Sequence, residues 1–323
     1  MKLAEPPRTL DNRTALPEIA KRAYNRLFAW RYGVPPRSAG AAPSIPVEWG
    51  GLPLNIGDLE TGLFMCVENI DGWLDSPPLD GNDVARAVAD GSAWGPKTLG
   101  ARAIAVTGVC LGPRDQTRAA RDALGSLAAA RVPMDFTVAD PDLDTSLTAS
   151  TRADSDALKL APLGDQGFRY QVTLTAADPL LYGDWQQVIL APGSGAATGR
   201  IYGKDYPWEY GAGQIPTSGI LENEGNVDAP AIALYQGDLA SPDLVDDNGS
   251  AIYLTDIGAG MEVQVDTARL QAIAAGGLSR ASYIMPNSVP MLIPAQSQIG
   301  WHLGSASASG SGQVVVVWRS AWA

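Results

Sequence analysis

Histidine is almost missing from this chain of 323 residues: His302, in IGWHLG, is the only one. One imidazole cannot build a His-based metal cluster, and beside Trp301 in a strand-like setting it reads as structural rather than as a catalytic base. Cysteine is nearly as scarce. Cys66 and Cys110 lie in LFMCVENI and VTGVCLG with no CxxC spacing and no histidine cluster nearby, which predicts buried, inert thiols. No G-x-S-x-G elbow occurs, which argues against a serine esterase. Long apolar runs are missing too: the strongest, around VVVVW, is far short of a bilayer span, and MKLAEPPRTLDNR lacks the apolar core of a signal peptide. The expectation is a chain made in the cytosol and not inserted in a membrane.

Positive charge is in short supply. Lys and Arg number 23 against 35 Asp and Glu, a net of −12. Residues 1–40 hold eight Lys/Arg and three Asp/Glu, a net of +5, which leaves 15 minus 32, or −17, for the rest. An acidic body repels nucleic acid and argues against a DNA-reading role for the whole chain. What the chain has in quantity is punctuation: 35 glycines and 24 prolines within a sequence that is 46% apolar and 18% charged. That balance predicts many short strands joined by turns, and the length suits two domains.

Three segments follow. In residues 1–45, Thr14–Tyr32 carries Leu16, Ile19, Ala20, Ala23, Leu27 and Trp30 at helical spacing, with Gly33 at the stop position and the Pro-rich GVPPRSAGAAPSIP behind it. This amphipathic helix and tether either packs on its own domain or docks as an arm on a neighbouring subunit; a DNA-binding helix is a weaker third reading. Residues 46–190 read as a small α+β domain. GLFMCVENI, ARAIAVTGV and MDFTVAD are strands, and Pro113 opens a helix whose expected buried stripe is Ala119, Ala120, Leu124, Leu127 and Ala128. FRYQVTLTAADPLLYG alternates Tyr170, Val172 and Leu174 against Gln171, Thr173 and Thr175 and stops at Asp178-Pro179. Residues 191–323 read as an antiparallel β-sandwich built from AIALYQG, AIYLTDIG, MEVQVDT, YIMPNS, QIGWHLG and VVVVWRSAW, with Met261, Val263 and Val265 inward. Asp247-Asn248-Gly249-Ser250 and Ala275-Gly276-Gly277 supply turns.

The segments that look like sites fail on inspection. GSGAATG, Gly193 to Gly199, matches neither G-x-G-x-x-G nor a P-loop and reads as an interdomain turn. GSASASGSG, Gly304 to Gly312, is a flexible connection. DPDLDT, Asp140 to Thr145, begins like a calcium loop but has Thr145 at the sixth position and Thr151 at the twelfth; VDDNGS has Leu244 where the first ligand should stand. Abundant carboxylates leave open a glycosidase pair, which spacing cannot reveal. Nine tryptophans and ten tyrosines serve as core, interface or sugar-stacking residues. LENEGNVDAPAIALYQG, Leu221 to Gly237, offers two asparagines, two acids and a glycine between Asn223 and Asp228. It reads as a strand-entry corner in which Asn223 and Asn226 bond backbone, Pro230 starts the strand, and Ile232 and Leu234 face the core. No catalytic, cofactor-binding or metal-ligating residue is assigned, and no cofactor is expected.

The run NEGNVDAPAIALYQGDLASPDLVDDNGSAIYLTDIGAGMEVQVDT resembles the final domain of siphophage distal tail proteins, the Dit-like or minor tail proteins. It shares their Asn-x-Gly-Asn-x-x-Ala-Pro corner, strand, Asn-Gly hairpin and Gly-Met/Glu strand ending in Asp-Thr. MLIPAQSQIGWHL is similar to the family's Leu-x-Pro-Gly-x-Asn-x-Ile stretch, with Ala295 in place of glycine and Ser297 in place of asparagine. Upstream, LGARAIAVTGVCLG, helix, strand and YQVTLTAADPLLYG follow the order of the family's first domain. The helical arm has no match.

The resemblance, over residues 46 to 323, implies a non-enzymatic structural protein of the virion, in the phage tail tip. It implies an α+β N-terminal ring-forming domain at 46–190 and an all-β galectin-like antiparallel sandwich at 191–323. The implied partners are copies of itself in a hexameric ring, the tail tube protein, the tape measure and the tip or baseplate proteins. DNA passes through without sequence-specific binding. The alternative is a carbohydrate-binding or host-adhesion module that takes a host-surface glycan on exposed aromatics such as Trp208 or Tyr210.

Overall fold

The computed structural model describes residues 45–57, 62–81, 83–86, 90, 92–140, 145–192, 216–274, 277–304 and 311–323. The expected helix at Thr14–Tyr32, the Gly193–Gly199 turn, Trp208 and Tyr210, and most of Asp140–Thr145 and Gly304–Gly312 lie outside the described residues. The chain forms two compact units, one ending at Leu181 and one beginning at Tyr182.

In the first unit the strands are β1 (Val47–Trp49), β2 (Leu52–Pro53), β3 (Ile56–Gly57), β4 (Phe64–Asp71), β5 (Leu79–Asp80), β6 (Val84–Ala85), β7 (Ser92–Ala93) and β8 (Thr98–Leu99). They continue with β9 (Arg102–Leu111), β10 (Met134–Asp140), β11 (Thr145–Pro162) and β12 (Gly167–Ala176), with helix α1 (Arg114–Ala128) between β9 and β10. Antiparallel pairing gives the order β2-β1-β10-β11-β12-β9-β4-β3. The long strand β11 joins two partners end to end: Thr145–Thr151 pairs with β10 and Thr151–Pro162 with β12. Its register against β12 shifts between Ala153 and Leu158, where Asp156 takes a left-handed φ of 56°, a bulge that bends the strand locally.

The expected alternation in β12 holds: Tyr170, Val172 and Leu174 are buried and join Ile104, Val106, Leu124, Phe136 and Leu147 in the core. Helix α1 packs on β9, β11 and β12, but its buried stripe is Thr117, Ala120 and Leu124. Ala119 is exposed, and Leu127 and Ala128 are half-buried. The stripe can include Thr117 because its hydroxyl donates to the Arg114 carbonyl (3.2 Å), which spares it from burial unpaired.

The second unit is an antiparallel sandwich. Its strands are β13 (Leu181–Leu190), β14 (Ser218–Asn223), β15 (Ala231–Gln236), β16 (Asp243–Asp246), β17 (Ala251–Tyr253), β18 (Glu262–Asp266), β19 (Gln271–Ala274), β20 (Leu278–Ser279), β21 (Ser297–Leu303) and β22 (Gln313–Trp322). One sheet runs β20-β19-β18-β15-β22-β13 and the other β14-β21-β16-β17. Trp318 of β22 ties them by donating its indole N–H to the Glu222 carbonyl of β14 (2.8 Å).

Three expectations need correcting here. In β15 the buried residues are Ala231, Ala233 and Tyr235, while Ile232 and Leu234 take the half-buried face. The partners explain the phase: Ala231 lies opposite Trp318, and Ala233 lies between Val316 and Val265, so small residues make room for large ones. Val263 and Val265 are buried as expected, but Met261 precedes β18 and is exposed. YIMPNS is not a strand: Ala281–Tyr283 forms a 3-10 turn, and after the single bridge of Ile284 to Leu254 Pro286 has no N–H to continue a ladder.

Candidate functional site

Among the described residues, the most exposed apolar side chains of the first unit follow a pinned loop. Arg102, at the start of β9, is only 2% exposed. Its Nη1 donates to the carbonyls of Gly72 (3.1 Å), Trp73 (2.8 Å) and Asp75 (2.6 Å), and its Nε to that of Pro179 (2.8 Å). Burial pushes the guanidinium pKa down, and the nearby Asp75 carboxylate opposes that shift. Trp73 is buried edge-on against Phe136, ring centroids 5.2 Å apart. Gly72 adopts φ +80°, and any Cβ there would press on the Ala103 carbonyl.

So held, the loop turns Leu74 outward, 79% exposed. Two short ladders follow, β5 with β8 and, nested inside, β6 with β7. Leu79 and Leu99 stand directly across from each other and are both exposed. Trp94, between β7 and β8, is 91% exposed. Asp83 organises this tip by accepting from the Gly95 N–H (3.2 Å) and pairing with Lys97 (3.2 Å). Exposed apolar residues on a braced loop and the hairpin that follows it are the surface expected of an interaction site.

The corner in the second unit is built as the sequence suggests. The Asn223 amide nitrogen donates to the carbonyls of Val227 (2.8 Å), Ile293 (3.1 Å) and Pro294 (3.2 Å), and its oxygen accepts from Gly225 (3.0 Å) and Ala321 (3.2 Å). Asn226 accepts from the Ala323 N–H (2.9 Å) and Asp228 from the Ala295 N–H (3.0 Å). All three side chains serve the backbone.

His302 is half-buried in β21, opposite Val245 and Ser218. Cys66 and Cys110 are free and buried, and burial pushes each thiol up to about 12, with Glu68 adding to the shift at Cys66. Cys66 pairs with Val109 and Cys110 with Met65, so the two thiols point to opposite faces of the sheet. In the hairpin Asp247–Ser250, the Asp246 carboxylate accepts from Asn248 (2.9 Å) and Ser250 (2.8 Å), and Gly249 supplies φ +87°. Among the described residues no three His, Cys, Asp or Glu side chains gather into a metal-holding group, and no helix is long and apolar enough to cross a membrane. Sequence reasoning missed Arg102 and the Leu74–Leu99 surface. A lone arginine on the apolar face of a strand was the available signal.

No family model matches the chain, and no curated protein matches its sequence. Solved structures do match. The fold is similar to that of the SPP1 Dit (gp 19.1) protein, described as a paradigm of the hub adsorption apparatus in phages infecting Gram-positive hosts. The TM-score is 0.56 at 12% identity, over 87% of this chain and 100% of that one. Chains from the phage p2 baseplate in its activated conformation give looser overlaps. With Ca the TM-score is 0.38 at 12% identity, over 75% of this chain and 87% of that one. With Sr it is 0.41 at 11% identity, over 85% and 98%. The Dit-like likeness read from the corner and strand order is met in the fold.

Proposed function

We propose that this chain is a non-enzymatic structural component of a phage tail tip, carried in the virion. In this reading it forms a ring that joins the tail tube to the tip or baseplate proteins and lets DNA pass. The observation that carries the proposal is the overlap with SPP1 Dit along the whole length of that protein. In this reading the first unit forms the ring and the second is a galectin-like sandwich, with the tube and tape measure proteins as axial neighbours.

A closed ring needs two different patches on each protomer, because its contacts are heterologous. The exposed apolar surface from Leu74 to Leu99 supplies one candidate. The −17 balance of residues 41–323 suits a channel through which DNA slides without sticking. Electron microscopy of the purified full chain tests the assembly: closed rings of six subunits support the proposal, and a monomer or an open filament overturns it. A lumen found neutral or basic in such a ring removes the electrostatic part alone. The glycan-binding alternative gains no support, since the chosen aromatics, Trp208 and Tyr210, fall outside the described residues.

A further inference from the structure

We infer that the surface formed by Leu74, Leu79, Trp94 and Leu99 is the docking site for the N-terminal arm of a neighbouring copy of this chain. The inference rests on the ring reading and says which two surfaces meet. Its first support is charge. Residues 71–99 carry five acids, Asp71, Asp75, Asp80, Asp83 and Asp90, against Arg86 and Lys97, a net of −3, whereas residues 1–40 carry +5. All five carboxylate-bearing residues are exposed. Opposite charge flanking two apolar surfaces brings them together and sets their register.

The second support is shape and pattern. The arm's apolar stripe runs Leu16, Ile19, Ala23, Leu27 and Trp30, with Lys21, Arg22 and Arg26 largely off it. A helix over those 19 residues would be about 28 Å long. An apolar stripe bordered by cations is the complement of an apolar hairpin bordered by carboxylates. Residues 33–45 then provide a tether with a reach of about 40 Å when extended. In the single chain Trp94 is 91% and Leu74 79% exposed, which leaves both accessible to another copy. The Arg102 clamp holds Leu74 in place for it before docking.

The test is photo-cross-linking of the full chain with benzoyl-phenylalanine in place of Trp94, a position too exposed for the fold to depend on it. Isotopically light and heavy protein are mixed under denaturing conditions and refolded together, and native mass spectrometry reads assembly in the same samples. Light-to-heavy cross-links from position 94 to residues 14–32 in an assembled protein support the inference. Cross-links to another segment of the neighbour, or only within one chain, overturn the docking while an intact ring keeps the ring reading. A protein that stays monomeric overturns both.

A second arm uses charge. Reversing Lys21, Arg22 and Arg26 to Glu should weaken assembly about tenfold at low salt, since exposed ion pairs each contribute little. Adding Asp80→Lys and Asp90→Lys should restore much of it. Failure of that rescue, with each variant folded by circular dichroism, counts against the pairing.

Discussion

Asn223 shows how one side chain can define a corner. Its two amide protons are shared among three carbonyls and its oxygen takes two N–H groups, so the residue links β14 to the chain before β21 and to the end of β22. Asn223→Asp keeps the shape but turns the donor into a second acceptor facing three carbonyls. The expected loss is about 3 kcal/mol or more, read from chemical denaturation. Arg102→Lys fails for a different reason: an ammonium on a flexible stem cannot span Pro179 on one side and Gly72, Trp73 and Asp75 on the other. Here the loss should be about 2–3 kcal/mol, together with faster proteolysis of the 72–99 segment.

The thiols set a pH dependence. Cys66 and Cys110 have pKa values near 12 when folded, against an ordinary 9.0, and burial also raises the hydroxyls of Tyr170 and Tyr235. A raised acid holds its proton in the native state after the unfolded chain has released it, so stability falls as pH rises above about 9. Each thiol contributes a slope approaching 1.4 kcal/mol per pH unit, until pH 12. Denaturant melts from pH 7 to 11 should show the decline. Thiol reagents should find no fast-reacting group in the native protein and two after unfolding.

At the scale of elements, legibility followed from how local the deciding contacts are. β12 was readable because polar and apolar residues alternate strictly from Tyr170 to Thr175, and the pleat converts that directly into two faces. β15 was readable as a strand but not in its phase. AIAL is apolar on both faces, and the choice is made by Trp318 and Val316, more than eighty residues away. Ala233→Ile should therefore cost about 2 kcal/mol by overpacking, more than Ile232→Thr on the half-buried face; urea midpoints of the two variants decide it. β11 is not legible in the sequence. TSLTASTRADSDALKLAP is small, polar and charged along much of its length, and it is a strand because β10 and β12 each pair with half of it. The Asn223 corner was legible as a turn, but Ile293, Pro294 and Ala321 as its partners were not.

For the molecule as a whole, we propose assembly into a closed ring in a phage tail tip. A likeness in turn signals, a fold overlap with SPP1 Dit over 87% of this chain and an exposed apolar surface on the protomer support that reading. Burying Trp94, Leu74 and their neighbours between copies would stabilise such an assembly through apolar area removed from solvent, at about 25 cal/mol per Å². Trp94→Asp should therefore weaken assembly while leaving the protomer's unfolding midpoint almost unchanged. The most direct measurement is electron microscopy of the purified full chain with subunits counted. The account predicts closed rings of six with a central opening wide enough for duplex DNA; dispersed monomers, or filaments that never close, would contradict it.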